Sequence, residues 1–278
     1  MSLQVSNGFV DGPFSKPLAV YVHIPFCQRR CRYCDFPTFA GRDAEMADYA
    51  LAVEAQIASS PFAGESVGTV YFGGGTPTHM PADILERILR RLADTFAVEP
   101  DAEITFEANP ASSSLDIFKE LRAAGFNRVS IGVQALDDTL LATLGRLHTA
   151  EEARLTLEAA REARFLSVNA DLMFGIPGQT VEGWVSQLEA LVSMGVPHIA
   201  TYCLTVEEGT SFAEMIAQGL IQPMDDDLAT DMYEAAMDVL KAAGYEHYEV
   251  SNFALRGHRC RHNVVYWRNE PYLGLGAA

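Results

Sequence analysis

The clearest indication of the fold comes from the stretch Leu18-Ala-Val-Tyr-Val-His-Ile-Pro-Phe-Cys-Gln-Arg-Arg-Cys-Arg-Tyr-Cys34. Its first seven residues have the apolar, β-branched character of a buried strand, and a loop with three cysteines follows at once. Strand-like and helix-like segments then alternate, and six such βα units indicate a parallel sheet with outer helices. We therefore predict an α/β fold, a partial TIM-like (β/α)6 barrel whose functional groups lie at the carboxyl ends of the strands.

The individual elements are predicted from periodicity and from capping residues. Strands are expected at about residues 18–24, 67–72, 103–108, 128–133, 167–174 and 198–205. Helical segments are expected at about 44–59, from 81, 114–124, 137–163, 181–194 and 225–243. The domain division that follows is an N-terminal extension at 1–16, a barrel at 17–206 and a C-terminal extension at 207–278. Within that extension, 245–253 fits either a further strand or the entry to another module, and the chain stops as if truncated.

Composition limits the classes of function. The chain has 20 Lys and Arg against 37 Asp and Glu, a net charge of -17, which argues against a nucleic-acid partner. The first eleven residues lack the features of a signal peptide, and no stretch approaches the roughly 18 apolar residues of a membrane span. Three of the five cysteines crowd into eight positions, which fits metal binding in a reducing compartment. We expect a cytoplasmic protein without a transmembrane segment.

Cys27, Cys31 and Cys34 have the spacing C-x3-C-x2-C and are the candidate metal ligands. Thiolates are soft ligands suited to iron–sulfur clusters, zinc or copper(I). A structural zinc site normally has four ligands in paired spacing, although zinc stays an alternative here. Three ligands on a four-iron cubane leave one iron open to a ligand that is not protein. The arginines between the cysteines, at positions 29, 30 and 32, are expected to favour the thiolate form.

Several motifs in order resemble the radical S-adenosylmethionine superfamily, and within it the HemN and HemW group. They begin with the cysteine spacing and its neighbours and continue through Gly73-Gly-Gly-Thr-Pro-Thr78, Phe106-Glu-Ala-Asn-Pro110, Gly132-Val-Gln134, Leu144-Gly-Arg-Leu-His148 and Asp171-Leu-Met-Phe-Gly-Ile-Pro-Gly178. The resemblance spans nearly the whole chain, from about residue 18. It implies a [4Fe-4S] cluster on the three cysteines and S-adenosylmethionine on its open iron.

The same resemblance implies a set of residues that bind S-adenosylmethionine. Glycines without side chains let the backbone approach a ligand, and polar groups at strand ends offer hydrogen bonds. The predicted cofactor-binding residues are Tyr21, Tyr33, Gly74, Gly75, Thr76, Glu107, Gln134, Arg146 and Asp171. In HemN-like proteins some of them serve a second S-adenosylmethionine, so one or two molecules remain open. No residue is assigned as catalytic.

Two features separate the branches of this group. HemN-type enzymes carry a fourth cysteine two positions after the third, where this sequence has Phe36. The segment His262-Asn-Val-Val-Tyr-Trp267 resembles the HNxxYW motif of HemW. A histidine can ligate heme iron, and aromatic rings can cover a porphyrin face. The heme hypothesis therefore names His262, Asn263, Tyr266 and Trp267, with His258 and Cys260 as alternative iron ligands.

The resemblance favours a heme chaperone, which binds heme as cargo and transfers it to an acceptor protein. Such a protein needs an electron donor for its cluster and no substrate turnover. The alternative is a radical oxidoreductase that acts on a tetrapyrrole, such as an oxygen-independent coproporphyrinogen III dehydrogenase. A radical methyltransferase is a third possibility. Whether the protein is an enzyme stays open at this stage.

Overall fold

The computed structural model describes residues 16–277, and a nine-stranded sheet dominates it. Eleven strands are found in this part of the chain: β1 Leu18–Ile24, β2 Phe26–Cys27, β3 Phe39–Ala40, β4 Ser66–Gly74, β5 Ala97–Ala108, β6 Arg128–Gln134, β7 Ser167–Phe174, β8 His198–Cys203, β9 Glu246–His247, β10 Asn252–Ala254 and β11 Tyr272–Leu275. The α-helices described are α1 Met46–Ala58, α2 Ala82–Thr95, α3 Leu115–Ala124, α4 Asp138–Leu144, α5 Ala150–Glu162, α6 Val181–Ser193, α7 Ser211–Ala217, α8 Asp226–Ala242 and α9 Arg261–Trp267.

The six predicted strands form the centre of the sheet. In spatial order the sheet runs β11-β1-β4-β5-β6-β7-β8-β10-β9, and β1 and β4 to β8 are parallel to one another. The predicted α/β class with a mainly parallel sheet is thus confirmed. Segments after residue 206 extend it at both ends, because β11 pairs parallel with β1 and β10 pairs antiparallel with β8. The domain boundary near 206 stays a prediction.

The two faces of the sheet differ in polarity. Residues that face the helices are apolar and buried, as in Val129, Ile131 and Val133 of β6. The alternate residues Arg128 and Ser130 line a cavity instead. Both faces of a parallel sheet are ordinarily apolar, since helices usually cover each of them. A polar inner face therefore marks a space built for a polar ligand.

The outer helices pack their apolar faces on the other side of the sheet. Phe106 of β5 lies edge-on to Phe126 and Phe165, and this aromatic cluster joins the sheet to the neighbouring helices. Trp184 of α6 is fully buried, and its Nε1 donates to the Met232 carbonyl oxygen of α8 at 2.8 Å. This hydrogen bond joins α8, the last long helix, to α6.

The structure differs from the predicted elements in several places. The helical region expected over 137–163 is two helices, because Gly145 adopts a left-handed φ of 75° and Thr149 starts α5 with a capping box. β5 begins at Ala97, six residues earlier than predicted, and α7 was not predicted. The segment 245–253 resolves into antiparallel β9 and the start of β10. The predicted N-terminal extension lies outside the described residues apart from residue 16.

Candidate functional site

One cavity of about 620 Å³ opens at the carboxyl ends of the strands and extends along the inner face of the sheet. It brings together almost every residue predicted for a site. Those lining it are Tyr21, Cys27, Cys31, Tyr33, Cys34, Gly74, Gly75, Thr76, Glu107, Gln134, Arg146, Asp171, His262, Asn263 and Tyr266. Trp267 is absent from this lining and is 56% exposed. A pocket of this size with convergent polar groups is suited to a small-molecule ligand.

The three cysteines lie in the loop that follows β1. Cys27 is buried at the end of β2, where the Thr76 hydroxyl donates to its Sγ at 3.5 Å. Burial, as the larger effect, raises the pKa of the Cys27 thiol above its ordinary value. Nη1 of Arg146 donates to Cys31 Sγ at 3.5 Å. Arg146 thus fixes the position of that sulfur at the cavity wall.

The arginines between the cysteines donate to backbone carbonyl oxygens. Arg29 donates to the Gly145 carbonyl oxygen, and Arg32 Nη1 donates to the carbonyl oxygen of Ala142 at 3.1 Å. Arg30 Nε donates to the Cys34 carbonyl oxygen at 3.0 Å. Two of these guanidinium groups thus hold the cysteine loop on the carboxyl end of α4. Among the described side chains, Arg146 is the arginine whose guanidinium contacts a cysteine sulfur.

The donor set fits a three-cysteine iron–sulfur cluster. Cys27, Cys31 and Cys34 share one cavity wall, and their thiols are close enough for the other two to raise the pKa of Cys27. Within residues 16–277 no three His, Cys, Asp or Glu side chains form a ready-made site for a metal ion. The assignment of the cysteines as cluster ligands therefore rests on their shared cavity and on the affinity of thiolates for iron.

The glycine turn after β4 lets its backbone lie against the cysteine loop. Gly74 has a φ of 112°, and a Cβ there would lie 2.4 Å from the His23 ring. A Cβ on Gly75 would meet the carbonyl oxygens of Phe26 and Ile24 at 2.8 and 2.9 Å. Side chains are thus excluded at both positions by left-handed backbone or close packing. The turn leaves its backbone at the cavity wall, where the cofactor prediction places it.

Glu107 occupies the carboxyl end of β5 in the cavity wall. Tyr71 Oη donates to its Oε1 at 2.9 Å, and the Gly74 amide donates to its Oε2 at 3.1 Å. Burial, and secondarily the Asp171 carboxylate, raises the pKa of Glu107 from 4.5 to about 7. Two carboxylates in one cavity favour a cationic ligand, because its positive charge would stabilise the ionised form of Glu107.

This raised pKa predicts a pH-dependent stability of the metal-free protein. The folded state binds the Glu107 proton more tightly than the unfolded chain, so its contribution to the free energy of unfolding falls as pH rises from about 4.5 to about 7. Glu107→Gln should remove this part of the slope. Urea denaturation between about pH 5 and about pH 8 measures it. Asp171→Asn removes the carboxylate that helps to raise this pKa and should reduce the slope in part. An unchanged slope in Glu107→Gln would contradict the assignment.

Asp171 is held within the middle of β7 by neighbouring polar side chains. Ser130 Oγ donates to its Oδ2 at 3.1 Å, and Asn169 Nδ2 donates to its Oδ1 at 2.7 Å. Burial is the main cause that raises the pKa of Asp171 above its ordinary value. Gln134, at the end of β6, adopts a φ of 65°, which is uncommon outside glycine. Such backbone strain at a cavity wall is typical of ligand sites.

Arg146 and Tyr33 form another part of the cavity wall. Besides Cys31, Arg146 contacts the Gly132 carbonyl oxygen through Nη2 at 2.7 Å and hydrogen-bonds Tyr33. Burial raises the pKa of Tyr33, so this phenol stays protonated. Gly145 at the end of α4 places Arg146 in this position. The break between α4 and α5 therefore has a direct consequence for the site.

Sequence reasoning missed several cavity residues. His23, Tyr71, Ser130 and Asn169 all line the cavity, and each stands on a strand at the inward-facing register. Strand alternation was the available signal, because polar residues at every second position of an otherwise apolar strand share one face. His23 is one of these inward-facing residues. Its Nδ1 contacts the Tyr21 hydroxyl at 3.1 Å, and its Nε2 contacts the Pro37 carbonyl oxygen at 3.0 Å.

The predicted heme segment forms α9 at the amino ends of β4 and β5. Glu103 accepts hydrogen bonds from the backbone amides of Arg261 and His262, each at 3.0 Å, and so begins the helix. His262 is 1% exposed, and its ring nitrogens contact Thr69 Oγ1 at 2.8 Å and Tyr266 Oη at 2.9 Å. Burial lowers the pKa of His262 to about 3, so the imidazole is neutral.

Known proteins show the same combination of sequence and fold. Residues 21–191 match the family model for the radical SAM superfamily. The heme chaperone HemW of Lactococcus lactis is 39% identical over 262 residues, which cover 94% of this chain and 69% of that protein. The mitochondrial radical S-adenosyl methionine domain-containing protein 1 of Bos taurus is 40% identical over 266 residues, which cover 95% of this chain and 60% of that protein.

A solved structure agrees with these sequence relatives. Coproporphyrinogen III oxidase (HemN) from Escherichia coli, described as a radical SAM enzyme, superposes with a TM-score of 0.81 at 29% identity. The match covers 94% of this chain, which in turn spans 63% of the HemN chain. The chain therefore belongs to the radical SAM superfamily and, within it, to the HemW family.

Proposed function

We propose that the protein is a heme chaperone, which binds a [4Fe-4S] cluster, S-adenosylmethionine and heme, and passes the heme to an acceptor protein. The observation that carries this proposal is the HNxxYW-like helix α9, whose His262 and Tyr266 line the same cavity as the three cysteines. The similarity to HemW over 94% of the chain supports the same function.

The cavity residues suit the proposed cofactor. Cys27, Cys31 and Cys34 would hold three irons, and the glycine turn at Gly74 and Gly75 would accept the methionine end of S-adenosylmethionine. In its reduced form a cluster of this type supplies the electron that cleaves S-adenosylmethionine in the superfamily. The Glu107 and Asp171 carboxylates offer acceptors for the ligand's ammonium or ribose, and Arg146 would hold the Cys31 sulfur in place through its hydrogen bond.

Heme binding is proposed at α9. Tyr266 and Trp267 are 40% and 56% exposed and offer aromatic surface for a porphyrin. His262 is proposed as the iron ligand, and its neutral imidazole is the form that a metal accepts. Its nitrogens are both engaged, so ligation through Nε2 requires Tyr266 to release that atom. Asn263 lines the adjoining cavity wall.

Phe36 argues against the alternative, a coproporphyrinogen III dehydrogenase. Its side chain is 60% exposed and borders the cavity at the position where HemN-type enzymes have their fourth cysteine. A phenyl ring supplies no thiolate, so a reaction that depends on that sulfur is not supported here. An exposed aromatic ring at the cavity mouth is available for contact with a partner or cargo instead.

Two anaerobic experiments on the cluster-loaded protein distinguish the two functions. One adds heme, and the other adds coproporphyrinogen III. We expect a heme absorbance spectrum with a stoichiometric endpoint and no protoporphyrinogen formed in the presence of S-adenosylmethionine and a reductant. Transfer of the heme to apo-myoglobin, followed by absorbance, tests the chaperone step. Efficient conversion of coproporphyrinogen III would refute the chaperone proposal in favour of the oxidoreductase.

We also propose that the protein works in the cytoplasm with an electron donor and a heme acceptor. Among residues 16–277, no helix has the length and apolar character needed to cross a lipid bilayer. The net charge of -17 disfavours nucleic acid as a partner.

A further inference from the structure

Arg128 is a buried cation whose Nε has no hydrogen-bond acceptor among the described residues. It begins β6, its side chain lines the cavity, and the residue is only 3% exposed. Its Nε has no hydrogen-bond acceptor, and no carboxylate of the described chain lies within 4.0 Å of its guanidinium nitrogens. Burying a charge without a partner is costly, so such a group usually has an anion or ordered water beside it.

A second buried polar atom without a partner among the described residues lies on the neighbouring strand, β5. Thr105 of β5 is the register partner of Arg128, and its Oγ1 is buried without a hydrogen-bonding partner in the described part of the chain. Two adjacent inward-facing residues thus both leave polar atoms unsatisfied. Buried polar atoms are nearly always satisfied in native proteins, and each exception calls for an explanation such as a bound ligand.

The charged groups around Arg128 leave it free for an anion. Glu103 is one carboxylate that interacts with its charge, and three donors already bind that carboxylate: Cys260 Sγ and the amides of Arg261 and His262. Asp171 is a second, and it is bound by Ser130 and Asn169. Tyr71, Tyr248 and Cys260 also interact with the guanidinium, and burial raises the pKa of each above its ordinary value, which keeps them neutral. Burial and the charge of Arg128 lower the pKa values of three histidines, which are His198, His258 and His262.

Arg128 lies far from the proposed cluster. It is the first residue of β6, whereas Gln134 at the cofactor end is the last, and six residues of strand span about 20 Å. The superfamily resemblance places the carboxylate of S-adenosylmethionine on the cluster's open iron. A carboxylate at Arg128 would therefore belong to a different ligand. The planar guanidinium fork matches a carboxylate in a bidentate manner.

We propose that Arg128 is the recognition group for a carboxylate that a second ligand carries into the inner end of the cavity. Asn263 of α9 lines the same cavity. The carboxylate comes either from a tetrapyrrole propionate, a source that rests on the proposed heme function, or from a separate small carboxylic acid.

The first experiment uses sodium propionate as probe with the cluster-loaded protein saturated with S-adenosylmethionine. Thermal unfolding is compared with sodium chloride at equal ionic strength. We expect propionate to raise the unfolding midpoint by about 2 °C in the wild type, because a ligand of the native state stabilises it, and not in Arg128→Gln. Arg90→Gln, at an exposed arginine of α2, is the matched control and should respond as the wild type does.

The second experiment identifies the source of the carboxylate. Wild type and Arg128→Gln are titrated with heme and with heme dimethyl ester, whose propionates are blocked. If the carboxylate is a propionate of heme, the wild type should bind the ester about tenfold more weakly than heme. Arg128→Gln should then bind the two compounds equally. Equal binding of both compounds, with a propionate response in the first experiment, assigns the site to a small carboxylic acid.

The outcomes separate this proposal from the heme function. If the wild type binds no heme yet shows the Arg128-dependent response to propionate, the heme function fails and the carboxylate site stands. If neither experiment shows a dependence on Arg128, the site is overturned and water satisfies the guanidinium. Arg128→Lys keeps the charge without the fork, and it provides the comparison should Arg128→Gln fail to fold. We expect it to lose most of the propionate response.

Discussion

Replacing Cys27, Cys31 or Cys34 with Ser is expected to abolish the broad visible absorbance of the reconstituted protein and most of its bound iron. The physical reason is that three thiolates would carry the whole protein side of the cluster. Serine keeps the size of the side chain but offers a hard, weakly acidic oxygen in place of a soft thiolate. Iron and sulfide analysis, together with the absorbance spectrum under anaerobic conditions, measures the loss.

Cys203 and Cys260 provide matched controls for the cluster. Cys203 is exposed at the end of β8, and Cys260 is buried at the start of α9 with its thiol donating to Glu103. Burial raises the pKa of Cys260 to about 12, so this sulfur stays protonated. Serine at either position should leave the iron content unchanged. Wild-type iron in all three variants of the cysteine loop would refute the cluster assignment.

Replacing His262 with Gln is expected to weaken heme binding by at least about tenfold, because the amide cannot replace an imidazole as iron ligand. Gln preserves a polar side chain beside Thr69 and Tyr266, so it limits the damage to α9. Tyr266→Phe removes the hydroxyl that occupies one ring nitrogen of His262. That variant should bind heme at least as tightly as the wild type. Anaerobic titration followed by the Soret band measures both.

His258 and Cys260 are the alternative ligands that this experiment must exclude. His258 Nδ1 lies 3.2 Å from Ser167 Oγ, and burial lowers the pKa of His258. Heme binding should persist in His258→Ala and in Cys260→Ser. Retained binding in His262→Gln with an intact cluster spectrum, or its loss in either control, would show that His262 is not the iron ligand.

The strands and most helices could be predicted because their signals are local. β1 was predicted with its observed bounds, and α3 was predicted to within one residue, since Ser114 and Gly125 cap it. The division of 137–163 into two helices was harder to predict. Gly145 stands at the division, but a single glycine is tolerated inside many helices. β11 and its pairing with β1 join residues about 250 positions apart, and no local pattern encodes that contact.

The cysteine triplet, the glycine turn and the family could be inferred from the sequence alone, because their chemistry depends on residue type and on short spacing. Which charged group faces which other group follows from the fold. Arg146, and not the arginines between the cysteines, lies at the Cys31 sulfur. Both ring nitrogens of His262 are engaged, and the Nε of Arg128 is buried without a hydrogen-bond acceptor in the described chain. Such contacts arise where distant strands meet, and burial there sets the cost of every unpaired charge.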